Sequence, residues 1–513
     1  MSLDQFVAAL GQIAQPTSLL YLFIGYFVGI IFGALPGLTS MLAIVLLLPM
    51  TYTMPITQAL IMCMGVYMAG IYSGCVTAIT INIPGTPGAV MTSIEGNAMM
   101  KRGEGAKAIG HATIASAVGG AIGALFLIFI SPLAVKLALL VRTPGKFSLV
   151  LFALVVTVVI SKDKRKALIT LVFGLVCATI GADKLKAVSR FTFGFTQLIE
   201  GIDTTTLIVG AFAISEVIGQ CLVNNAEYNK MTEEANKLKF TRKDFFPPMK
   251  EIIPLIGNYI RSTIIGFFIG VLPGAGAAMA SFVAYAAEKS ANKHPEKFGT
   301  GYPAGIAAPE AANNAVCGGA IVPVLSLGIP GDGTTAVLLG VFMIYGIVPG
   351  PNLLTQRMDV LAPMYMALFI SAAVLLPLSL YIFGPYYLKI VRINRLVLYS
   401  AIGLIAILGV YAATNSVFQM GLSLFVAVLM YFLKRQGYPP VPFILGVILG
   451  PLAEQYMRTT ITLGEGNYSI FFTEPDSLFF LVLTVVFAIL LPKLNKKSED
   501  AEAAEGEKAA AKK

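Results

Sequence analysis

The chain contains 513 residues, of which 57% are apolar and 12% are charged, and its mean hydropathy is +0.80. Soluble globular domains carry about 25% charged residues, so this chain has too little polar surface to cover a soluble protein of its size. Its formal net charge of +9 is attributed to basic residues held in cytoplasmic loops. A soluble enzyme, a nucleic-acid binder and a secreted disulfide scaffold are thereby excluded.

Long uncharged runs indicate segments that span a membrane. No Asp, Glu, Lys, Arg or His lies between Asp4 and Glu95, and further uncharged runs cover residues 112–135, 262–287, 360–388 and 396–433. Because a membrane-spanning helix needs about 20 apolar residues, the pattern predicts an all-α polytopic membrane protein with about ten to twelve transmembrane helices.

Two Gly/Pro motifs interrupt the apolar runs in each half of the chain. A Leu-Pro-Gly motif at 35–37 recurs at 272–274, 237 positions later, and an Ile-Pro-Gly motif at 83–85 recurs at 329–331, 246 positions later. Two ordered matches at nearly one offset predict an internal duplication with broken or re-entrant helices. Broken helices at matching positions are typical of a transporter binding site, because irregular backbone at membrane depth must be buried or line a polar cavity. The alternative is that these residues only kink helices or permit close packing.

The duplication defines the predicted domains. Residues 1–223 form a first membrane repeat, 224–250 a cytoplasmic linker rich in Lys and Glu, 251–492 a second membrane repeat, and 493–513 a disordered charged cytoplasmic tail. With the linker and tail in the cytoplasm, two similar segments that end near Lys136 and Lys389 leave the membrane on opposite sides. This placement predicts that the repeats are inverted.

The four motifs supply the predicted substrate site. Each broken helix presents an N-terminus whose amides and positive dipole end favour an anion, and few cationic side chains lie near the broken segments. A cap at a broken helix is the alternative role for Asp332 and Thr335, and it is compatible with a place in the site. The predicted substrate-binding residues are Pro36, Gly37, Thr39, Ser40, Asn82, Pro84, Gly85, Thr86, Pro273, Gly274, Gly276, Pro330, Gly331, Asp332, Gly333 and Thr334.

Side-chain oxygens close to the motifs supply the predicted cation-coupling site. Na⁺ prefers oxygen ligands and is favoured over H⁺ as the coupling ion; with H⁺, Glu310 and Asp332 are the carboxyls best placed to titrate. Helical spacing places the two Asn residues that follow Glu310 on its face of the helix. The predicted cation-coupling residues are Asn82, Glu310, Asn313, Asn314, Asp332 and Thr335.

Catalytic chemistry is a poor fit to the sequence. The only two histidines, His111 and His294, lie in different halves, and no HExxH, GxSxG or P-loop motif is present. We therefore predict no catalytic residue, no tightly bound metal and no cofactor besides the coupling ion.

The motifs taken together resemble the large membrane subunit of the tripartite tricarboxylate transporters, the TctA family. The resemblance runs from about residue 18 to about residue 491. It is carried by residues 33–37, 83–88, 190–194, 272–276, 308–314, 328–334, 439–442 and 449–451.

The resemblance implies a multi-pass importer of organic carboxylates in the bacterial inner membrane, driven by symport with a cation, with a tricarboxylate such as citrate as the family default. It implies a small membrane subunit and a periplasmic solute-binding protein as partners. A homodimer of the complex is a further expectation, and nucleic acid is not a partner.

Inverted repeats predict elevator-type alternating access by a unit built from both halves. A channel for small anions and an intramembrane enzyme are the alternative functions. A channel favours a continuous polar stripe or charged rings, which the uncharged opening of the chain lacks.

Overall fold

The computed structural model describes residues 3–161, 163–183, 188–222, 233, 240–390 and 395–489. Almost all regular structure in these ranges is helical. The strands within them are Gly181–Ala182 and Ser189–Arg190, which pair antiparallel with Gly181 opposite Arg190. The predicted all-α class is confirmed.

The helices before the predicted linker follow the apolar runs. The α-helices are Leu3–Ile13, Pro16–Ala34, Ser40–Thr51, Ile56–Ile81, Val90–Lys101, Gly105–Leu139, Thr143–Ile160, Lys164–Ala178, Thr204–Ile208 and Ser215–Cys221. Short 3-10 turns are formed by Pro87–Ala89 and Thr196–Leu198, and a π-helical turn by Val209–Ile214.

The elements from residue 240 onward begin with a 3-10 turn at Arg242–Phe245, which lies within the predicted linker 224–250. The α-helices are Met249–Ile252, Ile256–Val271, Gly276–Ala291, Ala304–Leu327, Gly333–Ile344, Pro351–Gln356, Met358–Ile370, Leu376–Ile390, Arg395–Thr414, Val417–Arg435, Pro440–Leu463, Ile470–Thr473 and Pro475–Ile489. Further 3-10 turns are Ile253–Leu255 and Pro295–Lys297, and Ser371–Leu375 is π-helical.

Nine helical segments within the described ranges are long and apolar enough to cross a membrane. Three shorter apolar helices in the same ranges are Ser40–Thr51, Gly333–Ile344 and Pro475–Ile489. The polytopic membrane class is confirmed. The prediction of about ten to twelve crossings lies between the nine long spans and the twelve segments reached when the shorter helices are included.

One compact unit, here called unit 1, consists of Met1–Ala134, Leu222–Ser326 and Pro330–Tyr399, so it draws on both halves of the chain. Helices Ile56–Ile81 and Ala304–Leu327 are buried along almost their whole length. Both are rich in Gly, Ala, Ser and Thr, and small side chains let neighbouring backbones approach closely in a membrane. These two helices form the centre of unit 1.

A second compact unit consists of Val135–Cys221, Leu327–Ile329 and Ser400–Lys513. Helices Lys164–Ala178 and Pro440–Leu463 pack closely in it. A Cβ atom on Gly174 would lie only 2.0 Å from the carbonyl oxygen of Phe443. Charged side chains pair near its short sheet, where Arg190 Nη1 lies 2.7 Å from Glu454 Oε1.

The predicted repeat boundaries stay a prediction. The compact units group residues that contact one another, and such grouping does not test where a sequence repeat begins or ends. Most of the predicted linker, at 224–232 and 234–239, lies outside the described residues, as does the predicted tail at 493–513.

Candidate functional site

All four Gly/Pro motifs lie in breaks between helices, as predicted. In each half, one break follows a first long helix and a second break follows the next one, and a new helix begins after every break. The predicted motif residues lie in these breaks or at the first residue of the following helix: Pro36, Gly37, Pro84, Gly85, Pro273, Gly274, Gly276, Pro330, Gly331 and Gly333.

The same close backbone approach occurs in both halves. A Cβ atom on Gly85 would lie 2.1 Å from the carbonyl oxygen of Gly33, and one on Gly331 would lie 2.5 Å from the carbonyl oxygen of Gly270. Gly270 follows Gly33 by 237 positions and Gly331 follows Gly85 by 246, which are the offsets of the two motifs. Only glycine fits such an approach. The packing supports the internal duplication, while the inverted orientation stays a prediction.

Asn82 ends helix Ile56–Ile81 in the left-handed conformation, with φ 56°, and its backbone N–H donates to the carbonyl oxygen of Thr77. Its counterpart 246 positions later is Gly328, with φ 71°. Asn tolerates this conformation better than most residues. The side chain of Asn82 is exposed. The structure therefore gives Asn82 a backbone role, and its predicted ligand role stays a prediction.

Asp332 caps helix Gly333–Ile344 in the second Ile-Pro-Gly loop. Its Oδ1 accepts from the backbone N–H of Thr335 at 2.7 Å and from the hydroxyl of the same residue at 2.8 Å. Its Oδ2 accepts from the hydroxyl of Tyr67 at 2.6 Å. A carboxylate in this position is stabilised by the amides and the dipole of the helix. The capping role is confirmed, and Tyr67 brings the first half of the chain to this loop.

Two helix N-termini from different halves meet at Ser40 and Thr334. Thr39 caps helix Ser40–Thr51 by accepting from the backbone N–H of Leu42 at 3.2 Å. The hydroxyl oxygens of Ser40 and Thr334, both buried, lie 3.2 Å apart. The helix after the first Leu-Pro-Gly motif thus contacts the helix after the second Ile-Pro-Gly motif.

Buried polar groups surround the first Ile-Pro-Gly loop. Within the described residues, Oγ1 of Thr77, Oγ1 of Thr86 and both amide atoms of Asn313 have no hydrogen-bond partner. The amide of Asn313 lies against Gly88, where a Cβ atom would be 2.3 Å from Oδ1. Leaving a buried polar group unpaired costs about 1–3 kcal/mol. This loop therefore retains capacity to bind a polar ligand.

Glu310 and Asn314 lie on the same helix and make hydrogen bonds to different neighbouring residues. Glu310 is fully buried; its Oε1 accepts from the hydroxyl of Thr92 at 2.5 Å and its Oε2 from the hydroxyl of Ser116 at 3.0 Å. Nδ2 of Asn314 donates to the backbone carbonyl of Met68 at 3.2 Å, while its Oδ1 has no partner in the described part of the chain. No Lys or Arg is among these partners.

The sequence motifs did not predict a role for Tyr67, Thr77, Thr92 or Ser116. Each is a hydroxyl residue inside a helix and lies outside the Gly/Pro motifs. For Tyr67 a signal existed, because the 246-position offset pairs it with Asn313. The contacts of Thr92 and Ser116 with Glu310 arise only from packing between distant helices, and Oγ1 of Thr77 has no partner among the described residues.

Comparison with known families decides the identity of the chain. Residues 19–445 match the model of the tripartite tricarboxylate transporter TctA family. This chain belongs to that family. As a TctA-family chain it is one component of a tripartite transporter, which implies a small membrane subunit and a periplasmic binding protein.

Two relatives of this TctA-family chain come from Agrobacterium vitis. The "uncharacterized 52.8 kDa protein in TAR-I ttuC' 3'region" is 33% identical over 487 residues, covering 94% of this chain and 95% of the relative. The "uncharacterized protein in TAR-II ttuC' 3'region" is 36% identical over 236 residues, covering 46% of this chain and 97% of the relative. No solved structure matches the chain.

Proposed function

We propose that this TctA-family chain is the membrane subunit of a secondary importer of organic carboxylates in the bacterial inner membrane. It takes its substrate, a tricarboxylate such as citrate by family default, from a periplasmic solute-binding protein and works with a small membrane subunit. It transports and does not catalyse a reaction. Membership of a transporter family supports this proposal.

The observation that carries the proposal is the group of broken-helix N-termini from both halves, beside buried polar groups without partners. Thr86 and Asn313 stand at one loop, while Ser40 and Thr334 stand at another. Backbone amides, hydroxyls and side-chain amides hold a carboxylate without a basic residue when they lie at helix N-termini. The arrangement therefore suits an organic anion.

A cation gradient drives this importer, and Na⁺ is favoured over H⁺. Hydroxyl, amide and carboxylate oxygens near the motifs are ligands that Na⁺ prefers. Asp332 and Glu310 carry the carboxylates among them. If H⁺ is the coupling ion instead, these two carboxyls are the groups that titrate.

Alternating access is proposed to occur by movement of unit 1, because the candidate site residues from both halves belong to it. Within the apolar run 396–433, residues 400–433 belong to the second compact unit and are proposed to form part of a static scaffold that also contacts the small subunit or a second copy. Buried broken helices with satisfied backbone groups move most readily as a rigid body.

The test is uptake of radiolabelled citrate by the complete transporter in proteoliposomes, with and without the binding protein and a Na⁺ gradient. We expect uptake that requires both. Uptake that needs no gradient would indicate a channel, and chemical conversion without flux would indicate an enzyme. Uptake that follows a proton gradient and ignores Na⁺ would replace Na⁺ by H⁺.

A further inference from the structure

The two Ile-Pro-Gly loops are counterparts in position and differ in chemistry. The 246-position offset pairs Thr86 with Asp332 and Asn313 with Tyr67. Tyr67 of the first half reaches the second loop at Asp332, and Asn313 of the second half lies against the first loop at Gly88. Equivalent positions thus carry a carboxylate with its donors at one loop and neutral groups at the other.

We infer that the two loops divide the ligands: the first holds a carboxylate group of the substrate, and the second, with Asp332, holds the coupling cation. This assignment rests on the proposed function. It removes the second-loop residues Pro330, Gly331, Asp332, Gly333 and Thr334 from the predicted substrate-binding residues and moves Asn313 from the cation to the substrate.

The second loop already contains its own anion. The carboxylate of Asp332 accepts the backbone N–H of Thr335 at 2.7 Å and the hydroxyl of Tyr67 at 2.6 Å. A substrate carboxylate placed beside it would meet a like charge and find these donors occupied, which is unfavourable where water is scarce. A cation beside Asp332 meets an opposite charge instead.

The first loop lacks an acid at the equivalent position. Thr86 stands at the N-cap of the 3-10 turn Pro87–Ala89, which continues as helix Val90–Lys101, and its side chain makes no capping hydrogen bond. The helix dipole is therefore not compensated by its own cap. A carboxylate at this end would be stabilised by the dipole and by N–H donors.

Asn313 independently indicates a ligand at the first loop. It is fully buried, and neither Oδ1 nor Nδ2 has a hydrogen-bond partner among the described residues. Its amide lies against Gly88 at the start of this helix. A carboxylate oxygen that accepts from Nδ2 and from the hydroxyl of Thr86 would satisfy two groups that are otherwise buried without a partner.

Glu310 is the acid that precedes Asn313 by three positions on the same helix. Both of its oxygens accept hydroxyl hydrogen bonds, from Thr92 and from Ser116. The carboxylate of Glu310 therefore already has hydrogen-bond donors, whereas Oγ1 of Thr86 and both amide atoms of Asn313 have no partner among the described residues. The unpaired groups at the first loop are the neutral ones.

The test measures ligand-dependent thermal stabilisation of the purified full chain, since a ligand that binds the folded state raises the unfolding temperature. Citrate, succinate and tartrate are titrated at saturating Na⁺, and Na⁺ is titrated against choline at fixed citrate. We expect Asn313→Leu to weaken carboxylate binding at least tenfold with a Na⁺ midpoint within twofold of the parent chain. We expect Asp332→Asn to weaken Na⁺ binding at least tenfold and to leave carboxylate binding within twofold of the parent chain.

Gly88→Ala is the second variant at the first loop, because its new methyl group would displace the amide of Asn313. It should reproduce the carboxylate defect of Asn313→Leu. Ser131→Ala, a buried change at a residue outside the motifs whose hydroxyl donates to Leu127, is the control for general loss of packing. Size-exclusion profiles establish that each variant is folded.

Carboxylate binding that is unchanged in both first-loop variants would overturn the inference, whether or not their Na⁺ midpoint moves. A parent chain that none of the three carboxylates stabilises would overturn it too. If the division of ligands is found but proteoliposomes show no uptake, the proposed function fails and the inference stands. If proteoliposomes show uptake but the division of ligands is not found, the inference fails and the proposed function stands.

Discussion

Asn314 donates a hydrogen bond from Nδ2 to the backbone carbonyl of Met68 at 3.2 Å, and these two residues are counterparts 246 positions apart. Two copies related by a two-fold axis bring equivalent positions into mutual contact only near that axis. If the predicted repeats are related by such an axis, this contact between helices Ile56–Ile81 and Ala304–Leu327 lies close to it. One residue earlier on each helix, Tyr67 and Asn313 reach the loop of the opposite half.

Valine at Gly85 or Gly331 should abolish uptake while the chain still inserts and assembles. A Cβ atom at either position would lie within 2.5 Å of a carbonyl oxygen, that of Gly33 or Gly270, so the loop must shift. Uptake in proteoliposomes and the size-exclusion profile are the measurements. Gly257→Val and Gly421→Val are matched controls, because no atom lies within 4 Å of a Cβ at these positions. Normal uptake by both loop variants would remove the loops from the site.

Glutamine at Glu95 should destabilise the chain by about 3 kcal/mol. The side chain is fully buried and accepts from the backbone N–H groups of Gly299, Gly301 and Tyr302 at 2.5, 2.7 and 2.8 Å, and from the hydroxyl of Tyr285 at 2.9 Å. An amide group would turn its own N–H hydrogens toward these donors. Thermal unfolding in detergent measures the loss.

The control for this change is Glu296→Gln, because the side chain of Glu296 is 66% exposed. We expect it to leave the unfolding temperature nearly unchanged. Equal effects of the two substitutions would show that the buried hydrogen bonds of Glu95 do not stabilise the fold.

Loss of the hydroxyl of Thr92 or Ser116 should cost about 1–3 kcal/mol, because each removal leaves an oxygen of buried Glu310 without its donor. Thr92→Val and Ser116→Ala are the variants, measured by thermal unfolding. The same substitutions combined with Glu310→Leu should cost far less, since no carboxylate remains to be satisfied. Additive costs in the double variants would contradict the role of the two hydroxyls as partners of Glu310.

Substrate should change the accessibility of cysteines placed at Thr39 and Ala277. On a background without the five native cysteines, an impermeant thiol reagent added from one side should label both positions more in one state than in the other. This follows because a moving unit carries both positions together between the two faces. Labelling of Thr39→Cys from one side only and Ala277→Cys from the other only, whatever the substrate, would contradict a moving site.

Local patterns in the sequence determined the membrane class and the four breaks, and they predicted the duplication. Hydropathy sets which segments enter a bilayer, and Gly and Pro act on the backbone where they stand, so both effects can be predicted without knowing any neighbour. Asp332 and Thr335 could likewise be predicted as a cap, because a cap joins residues three positions apart.

Tertiary structure alone decided which polar groups are satisfied. Tyr67 and Asp332 are 265 positions apart, and Thr92 and Glu310 are 218 apart, so their contacts depend on how the two halves pack. The same packing leaves Asn313 without a partner although Asn314, its neighbour in the sequence, has one. A side chain's type fixes the hydrogen bonds it can make, but only the surrounding helices determine whether a partner lies within reach.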